Sequence, residues 1–212
     1  MKEIKDITEK ILNETEKIII GKREQVKYLI TAFLSEGHIL LDDVPGTGKT
    51  TLVKTLAHIM DCKFNRIQFV SDLMPSDILG INIFNQKSND FEIRKGAVFT
   101  NILLADEINR AMPRTQSALL EAMEERQVTI DGQSFVLPEN FTVIATENPV
   151  EYESTFNLPI AQLDRFFMKI SLGYPTAADE AAMLKLSGDS IDFSVLSKLL
   201  NTQRINEIKE KI

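Results

Sequence analysis

Apolar residues change their spacing repeatedly along the chain, and each change marks an element. Val26, Leu29, Ile30, Phe33 and Leu34 recur at helical spacing between Lys22 and Glu36, with Gly37 as the stop. The compact apolar run His38–Leu41 then reads as a strand, and Leu52, Val53, Leu56, Ile59 and Met60 form a second helical stripe. From Phe64 to Val70 the side chains alternate, with Phe64, Arg66 and Gln68 opposed to Asn65, Ile67 and Phe69. Ile102–Ala105 predicts another buried strand, followed by a helix through Ala118, Leu119, Ala122 and Met123. Phe141–Thr146 and Phe166–Leu172 complete five strands. Short apolar strands separated by helices predict an α/β domain with a mostly parallel sheet covered on both faces.

Two stretches break that rhythm. Ile81–Arg94 carries Asn-Gln-Lys-Ser-Asn-Asp between apolar runs and predicts a hairpin with a polar tip. Val128–Leu137 centres on Asp131-Gly132, a strong two-residue hairpin signal. After Pro175 only helical spacing remains: Thr176 is placed to cap a helix with Asp179 and Glu180 in its first turn, and Ile191–Ile212 reads as another helix.

Composition narrows the function classes. With 24 Lys+Arg against 31 Asp+Glu the net charge is −7, which disfavours general binding to nucleic acid or anionic lipid. The single cysteine, Cys62, excludes an internal disulfide framework. No run approaches the roughly 18 apolar residues of a membrane span. Met1–Lys17 lacks the apolar centre of a signal peptide, so a cytoplasmic location is expected. His38 and His58 are the only histidines and Cys62 the only cysteine, and three such lone residues predict no metal site.

The chemistry concentrates between the first strand and the second helix, in Asp43-Val44-Pro45-Gly46-Thr47-Gly48-Lys49-Thr50-Thr51. A phosphate loop asks for Gly, four residues, then Gly-Lys-Ser/Thr, and only its first position departs, with Asp43 in place of Gly. Gly46 and Gly48 let successive N–H groups turn inward towards phosphate oxygens. The positive end of the following helix adds to the same field. Lys49 is placed to reach the β- and γ-phosphates of ATP or ADP, and the Thr50 hydroxyl to hold Mg²⁺. A partner carboxylate is needed at a neighbouring strand end, and Ile102–Ala105 is followed by Asp106-Glu107. Asp106 would hold Mg²⁺ through its water shell, and Glu107 would polarise the attacking water. Val143–Thr146 runs into Glu147-Asn148-Pro149, where Asn148 is placed to orient that water. Arg165, in Leu163-Asp164-Arg165-Phe166, is a cation at a strand entrance; a surface ion pair is its competing reading.

Taken in order, these segments resemble the MoxR branch of the AAA+ ATPases from Ile20-Gly21 to about Tyr174-Pro175. The marks include Gly37–Leu41, Val44–Thr50, Leu104-Ala105-Asp106-Glu107-Ile108-Asn109-Arg110-Ala111, Gln116–Met123, Ala145–Pro149 and Ala161–Phe166. The resemblance implies a P-loop NTPase core with a five-stranded sheet of order 5-1-4-3-2, flanking helices and hairpin insertions. It also implies ATP hydrolysis with Mg²⁺, assembly into a ring, usually of six subunits, and chaperone-like remodelling of protein clients. A partner with a von Willebrand A domain is often implied as well, and a membrane or nucleic-acid partner is not. Lys49 and Thr50 match the Walker A positions, Asp106 and Glu107 the Walker B pair, Asn148 sensor 1, and Arg165 the arginine finger that acts on a neighbour's ATP. Ile19, Ile20 and Gly21 fall where relatives cradle adenine; Val44, Pro45, Gly46, Thr47, Gly48 and Thr51 complete the nucleotide contacts.

The chain departs from the family pattern at Ser154, Phe156, Asn157 and Ile160, where Gly, Tyr, Pro and Glu are usual. Relatives carry a helical lid after the core, whereas only Thr176–Ile212 follows here. The expected organisation is therefore a nucleotide-binding core at 1–175 and the start of a truncated or lidless helical segment at 176–212, with no sensor 2 residue to nominate. Two other functions compete: a nucleotide-gated binding module with little turnover, and a DNA-directed ring motor. The balanced charges of the first hairpin (Lys87 and Arg94 against Asp90 and Glu92) argue against the motor.

Overall fold

The computed structural model describes residues 2–42, 46–148, 155–174, 176–186 and 192–212. It begins with two helices, α1 (Lys2–Thr15) and α2 (Arg23–Leu34). The first strand, β1 (Ile39–Asp42), leads to α3 (Lys49–Ile59), then β2 (Phe64–Gln68) and the short α4 (Pro75–Leu79). A hairpin, β3 (Gly80–Asn85) and β4 (Asp90–Lys95), precedes β5 (Ile102–Asp106), a 3-10 turn at Ile108–Arg110 and α5 (Pro113–Glu125). A second hairpin follows, β6 (Gln127–Ile130) and β7 (Gln133–Val136), then β8 (Thr142–Glu147), the single-turn α6 (Ile160–Leu163) and β9 (Met168–Ile170). The chain ends with α7 (Ala177–Leu186), a 3-10 turn at Phe193–Val195 and α8 (Thr202–Lys209).

The five central strands form one parallel sheet in the order β2-β5-β8-β1-β9, the predicted 5-1-4-3-2 arrangement. Both predicted hairpins are present as separate two-stranded sheets. Asp131 and Gly132 take φ of 47° and 78°, the paired left-handed conformation of a tight hairpin turn. Because strand side chains alternate, each apolar strand feeds two cores. Ile39, Leu41, Ile102, Leu104 and Ile144 face α1, α2 and α3, while Leu40, Leu103, Ala105, Val143 and Ala145 face α5 and the hairpins.

The structure corrects the sequence reading at both ends. The sequence reading assigns no element to Met1–Lys17, and α1 forms there. Ile4, Ile7 and Ile11 lie at i, i+3 and i+7, and the stripe docks on the first core with Ile11 and Leu12 fully buried. The stripe is narrow, and the charged residues around it dilute its signal. At the other end, the helix expected over Ile191–Ile212 is broken. Asp192 accepts from the Ser194 N–H at 2.8 Å and closes a 3-10 turn, and Asn201 accepts from the Arg204 N–H at 2.8 Å and starts α8 afresh. Between them the Leu199 N–H donates to the Ile59 carbonyl at 2.8 Å, which an α-helix there would forbid. Leu196, Leu200, Ile205 and Ile208 are buried in the first core. The cap at Thr176 forms as expected, with Asp179 N–H to Thr176 Oγ1 at 3.2 Å and Thr176 N–H to Asp179 Oδ2 at 3.2 Å.

His38 pins β1 to its surroundings. Its Nδ1 accepts from the Val143 N–H at 3.0 Å, which leaves Nε2 as the donor to the Met123 carbonyl at 3.2 Å. Burial pushes its pKa down from 6.5 to about 4. In the unfolded chain His38 takes a proton near pH 6.5, in the folded one only near pH 4. Between those values the unfolded state binds more protons, so stability is full above pH 6.5 and is lost as pH falls. The expected loss between pH 7.5 and 5 is about 2 kcal/mol. Urea denaturation of wild type and His38→Gln at both pH values measures it, and equal pH dependence in the two proteins would refute the assignment.

Candidate functional site

All five parallel strands point their C-terminal ends at one edge of the sheet, where open α/β folds collect ligands. β1 delivers the Gly-rich loop to that edge. Of the loop residues predicted to contact nucleotide, Val44 and Pro45 lie outside the described residues, as does Asp43. Gly46 and Gly48 have φ of 87° and 80°, a region that L side chains rarely adopt, and a Cβ on either would meet no atom of the described residues within 4 Å. The backbone is thus curled at Gly46 and Gly48. Gly48 is the N-cap of α3, no side chain caps that helix and no acid sits in its first turn. The positive end of α3, carrying the half-buried Lys49, Thr50 and Thr51, therefore faces the loop.

At the end of β5 the two acids share one partner and differ in the rest. Thr146, at the end of β8, serves both: its hydroxyl donates to Asp106 Oδ1 at 2.7 Å and accepts from the Glu107 N–H at 2.8 Å. Glu107 adopts φ of 57° immediately after the strand, a left-handed turn that a non-glycine residue enters at some cost. That turn carries its carboxylate away from the strand line. Glu107 Oε2 accepts from Gln68 Nε2 and from Arg110, each at 2.9 Å. Asp106 Oδ2 accepts from Arg66 Nε at 3.1 Å and from an Arg66 terminal nitrogen at 2.6 Å.

The sequence reading did not nominate Arg66, Gln68, Arg110 or Thr146. Its alternation placed Arg66 and Gln68 on one side of β2, which was the available signal. What it lacked was register: β2 pairs with β5 so that Gln68 lies beside Asp106. The remaining nominated residues are spread around this centre. Asn148 is buried directly after β8, and its carbonyl accepts from the Asn109 side chain at 3.5 Å. Arg165 donates to the Leu120 carbonyl at 2.9 Å and pairs with Glu124, so in this chain it is anchored to α5. Ile19 and Ile20 are half-buried, and Gly21 (φ 71°) lies against the Asp179 carboxylate. Next to them Lys22 Nζ donates to the carbonyls of Leu172 and Gly173 at 2.7 and 2.9 Å, tying the start of α2 to the exit of β9.

One further charged group flanks the loop. Lys169 of β9 sits 2.8 Å from Asp42, the last residue of β1, and 3.7 Å from Glu147, the last of β8. Burial raises the Glu147 carboxyl above its ordinary pKa, and the ammonium of Lys169 opposes that shift. Cys62, by contrast, is an inert thiol whose burial pushes its pKa up to about 12.

A curled Gly-rich backbone at a helix N-terminus suits a phosphate chain, and hard oxygen donors from Thr50 and Asp106 suit a magnesium ion. Comparison with known proteins bears on the family. Residues 38–168 match the family model described as the ATPase family associated with various cellular activities (AAA). The chain is 46% identical to Chaperone MoxR1 of Mycobacterium tuberculosis over 85% of its own length and 48% of that protein. It is 48% identical to the uncharacterized protein YeaC of Bacillus subtilis, over 90% of its length and 60% of YeaC. A Cytophaga hutchinsonii crystal structure, described provisionally as an ATPase, superposes with a TM-score of 0.88 at 40% identity, covering 99% of this chain and 66% of that one. The chain thus spans about half to two thirds of the length of these relatives. Among the described residues no helix is long and apolar enough to cross a membrane. From the sheet order, the loop, the carboxylate pair and these matches, the chain belongs to the AAA family of ATPases, in its MoxR branch.

Proposed function

We propose that this chain binds MgATP at the C-terminal edge of its sheet and hydrolyses it as one subunit of a ring, and that the ring remodels protein clients.

 

The assembly we propose is hexameric. The observation that carries the reading is the convergence of three strand ends: β1 brings the curled Gly46–Gly48 turn, β5 brings Asp106 and Glu107, and β8 brings Thr146 and Asn148. In this reading residues 44–51 wrap the phosphates, Lys49 reaches the β- and γ-phosphates, and Ile19, Ile20 and Gly21 contact adenine. Thr50 and Asp106 hold Mg²⁺, which when bound neutralises charge on the phosphate oxygens. Glu107 takes a proton from water that Asn148 orients. The chain divides into a nucleotide-binding core (1–175) and a following helical segment (176–212), which shares the first apolar core through Leu196, Leu200, Ile205 and Ile208. The chaperone name of the Mycobacterium relative supports a protein client, and a von Willebrand A domain partner and a cytoplasmic location belong to the same proposal.

The trans role of Arg165 tests the ring. Lys49→Ala and Arg165→Ala are each expected to be inactive alone, for different reasons. Mixed, they form interfaces where an intact loop meets an intact Arg165, and partial ATPase activity is expected to return. Arginine fingers contribute about 10³–10⁵ in rate in GTPases, so even fractional recovery is measurable. An Arg165→Ala protein that is fully active without mixing, or folded mutants that co-assemble and stay inactive, would assign Arg165 to its Glu124 pair alone.

A further inference from the structure

The contacts around Asp106 leave little of its carboxylate for a metal. Oδ1 takes the Thr146 hydroxyl, and Oδ2 takes two nitrogens of the Arg66 guanidinium. The Asp106 side chain is 13% exposed, so its charge is poorly solvated and needs a cation close by. Arg66 is 42% exposed and stands on β2, an edge strand of the sheet, so its side chain can swing into water without opening the core. A dication held between Thr50 and Asp106 would face this guanidinium as a like charge competing for the same carboxylate oxygens.

We propose that Arg66 is a counter-cation of Asp106 with which a metal ion must compete for the carboxylate, and that metal binding displaces it. The inference rests on the nucleotide-site reading above and adds a positioning residue to it. Arg66 keeps the carboxylate oriented and charge-balanced, and it sets the metal concentration at which the site fills. Its guanidinium also touches Gln68, so it is held on two sides.

The test measures the metal directly. Mn²⁺ replaces Mg²⁺ as the probe, and free Mn²⁺ is read by electron paramagnetic resonance with ADP saturating. Arg66→Gln removes the competing charge and is expected to lower the Mn²⁺ dissociation constant about three- to tenfold, the scale of a partly exposed charge-assisted pair. Arg66→Lys keeps a charge without the planar fork, and a smaller drop is expected. An unchanged or weakened Mn²⁺ affinity in either variant, with circular dichroism as in wild type, overturns the proposal. If Arg66→Gln does not fold, Arg66→Lys decides the matter on the same criterion. Failure of the underlying reading looks different: wild type itself then shows no ADP-dependent Mn²⁺ site, and both inferences fall.

Discussion

Replacing Lys49 by Ala is expected to abolish measurable binding of ATP and ADP. The ammonium is the only side-chain cation that the phosphate loop itself carries, and it stands at the first position of α3 beside the curled Gly46–Gly48 turn. Hydrogen bonds to charged groups contribute about 1.5–3 kcal/mol each, so losing contacts to two phosphates weakens binding by roughly 10²-fold or more. Lys49 is half-buried at the start of a helix whose packing side is formed by Leu52, Val53, Leu56 and Ile59, so the fold is expected to survive. Calorimetric titration with ADP checks the result. Equal affinity in wild type and mutant would remove the loop from the nucleotide site.

The second large effect belongs to Glu107. Glu107→Gln is expected to retain ATP affinity while hydrolysis falls roughly 10²-fold or more, the usual scale for removal of a general base. The substitution preserves size and the ability to accept from Gln68 and Arg110, which now hold the carboxylate at 2.9 Å each. It removes the charge that would take a proton from water. Phosphate release under single-turnover conditions separates this from a binding defect, and a mutant that hydrolyses at the wild-type rate would show that another group activates water. The same variant, loaded with ATP, is also the bait for recovering a bound client.

Much of the fold could be read from local pattern, because the strands are short apolar runs bounded by turns. Asp106 and Glu107 were legible for the same reason: two acids ending such a run stand out. Arg66 and Gln68 were not, since their role depends on which strand lies beside β2, and alternation within one strand says nothing about its neighbour. Register supplies that information, placing Gln68 opposite Asp106. Thr146 was inside a quoted motif, yet its two hydrogen bonds cross from β8 to β5 and leave no mark in sequence spacing. The terminal helices failed for opposite reasons. In α1 a genuine apolar stripe was masked by charge, and over Ile191–Ile212 apparent helical spacing was overridden by the turn at Asp192 and the fresh cap at Asn201.

The strand order also fixes when this protein can become functional during its own synthesis. β1, which carries the phosphate loop, has among the described residues only β8 and β9 as neighbours, and its first partner residues are Ile144 to Glu147. Roughly a hundred residues must therefore be added after the loop before its strand finds a partner, about 5–20 s at typical translation rates. Until then the apolar run Ile39–Leu41 is an unpaired edge, the kind of segment that chaperones cover and that aggregation exploits. A nascent chain arrested before residue 142 is thus a protein with its nucleotide motif complete in sequence and no partner strand to hold β1 in the sheet.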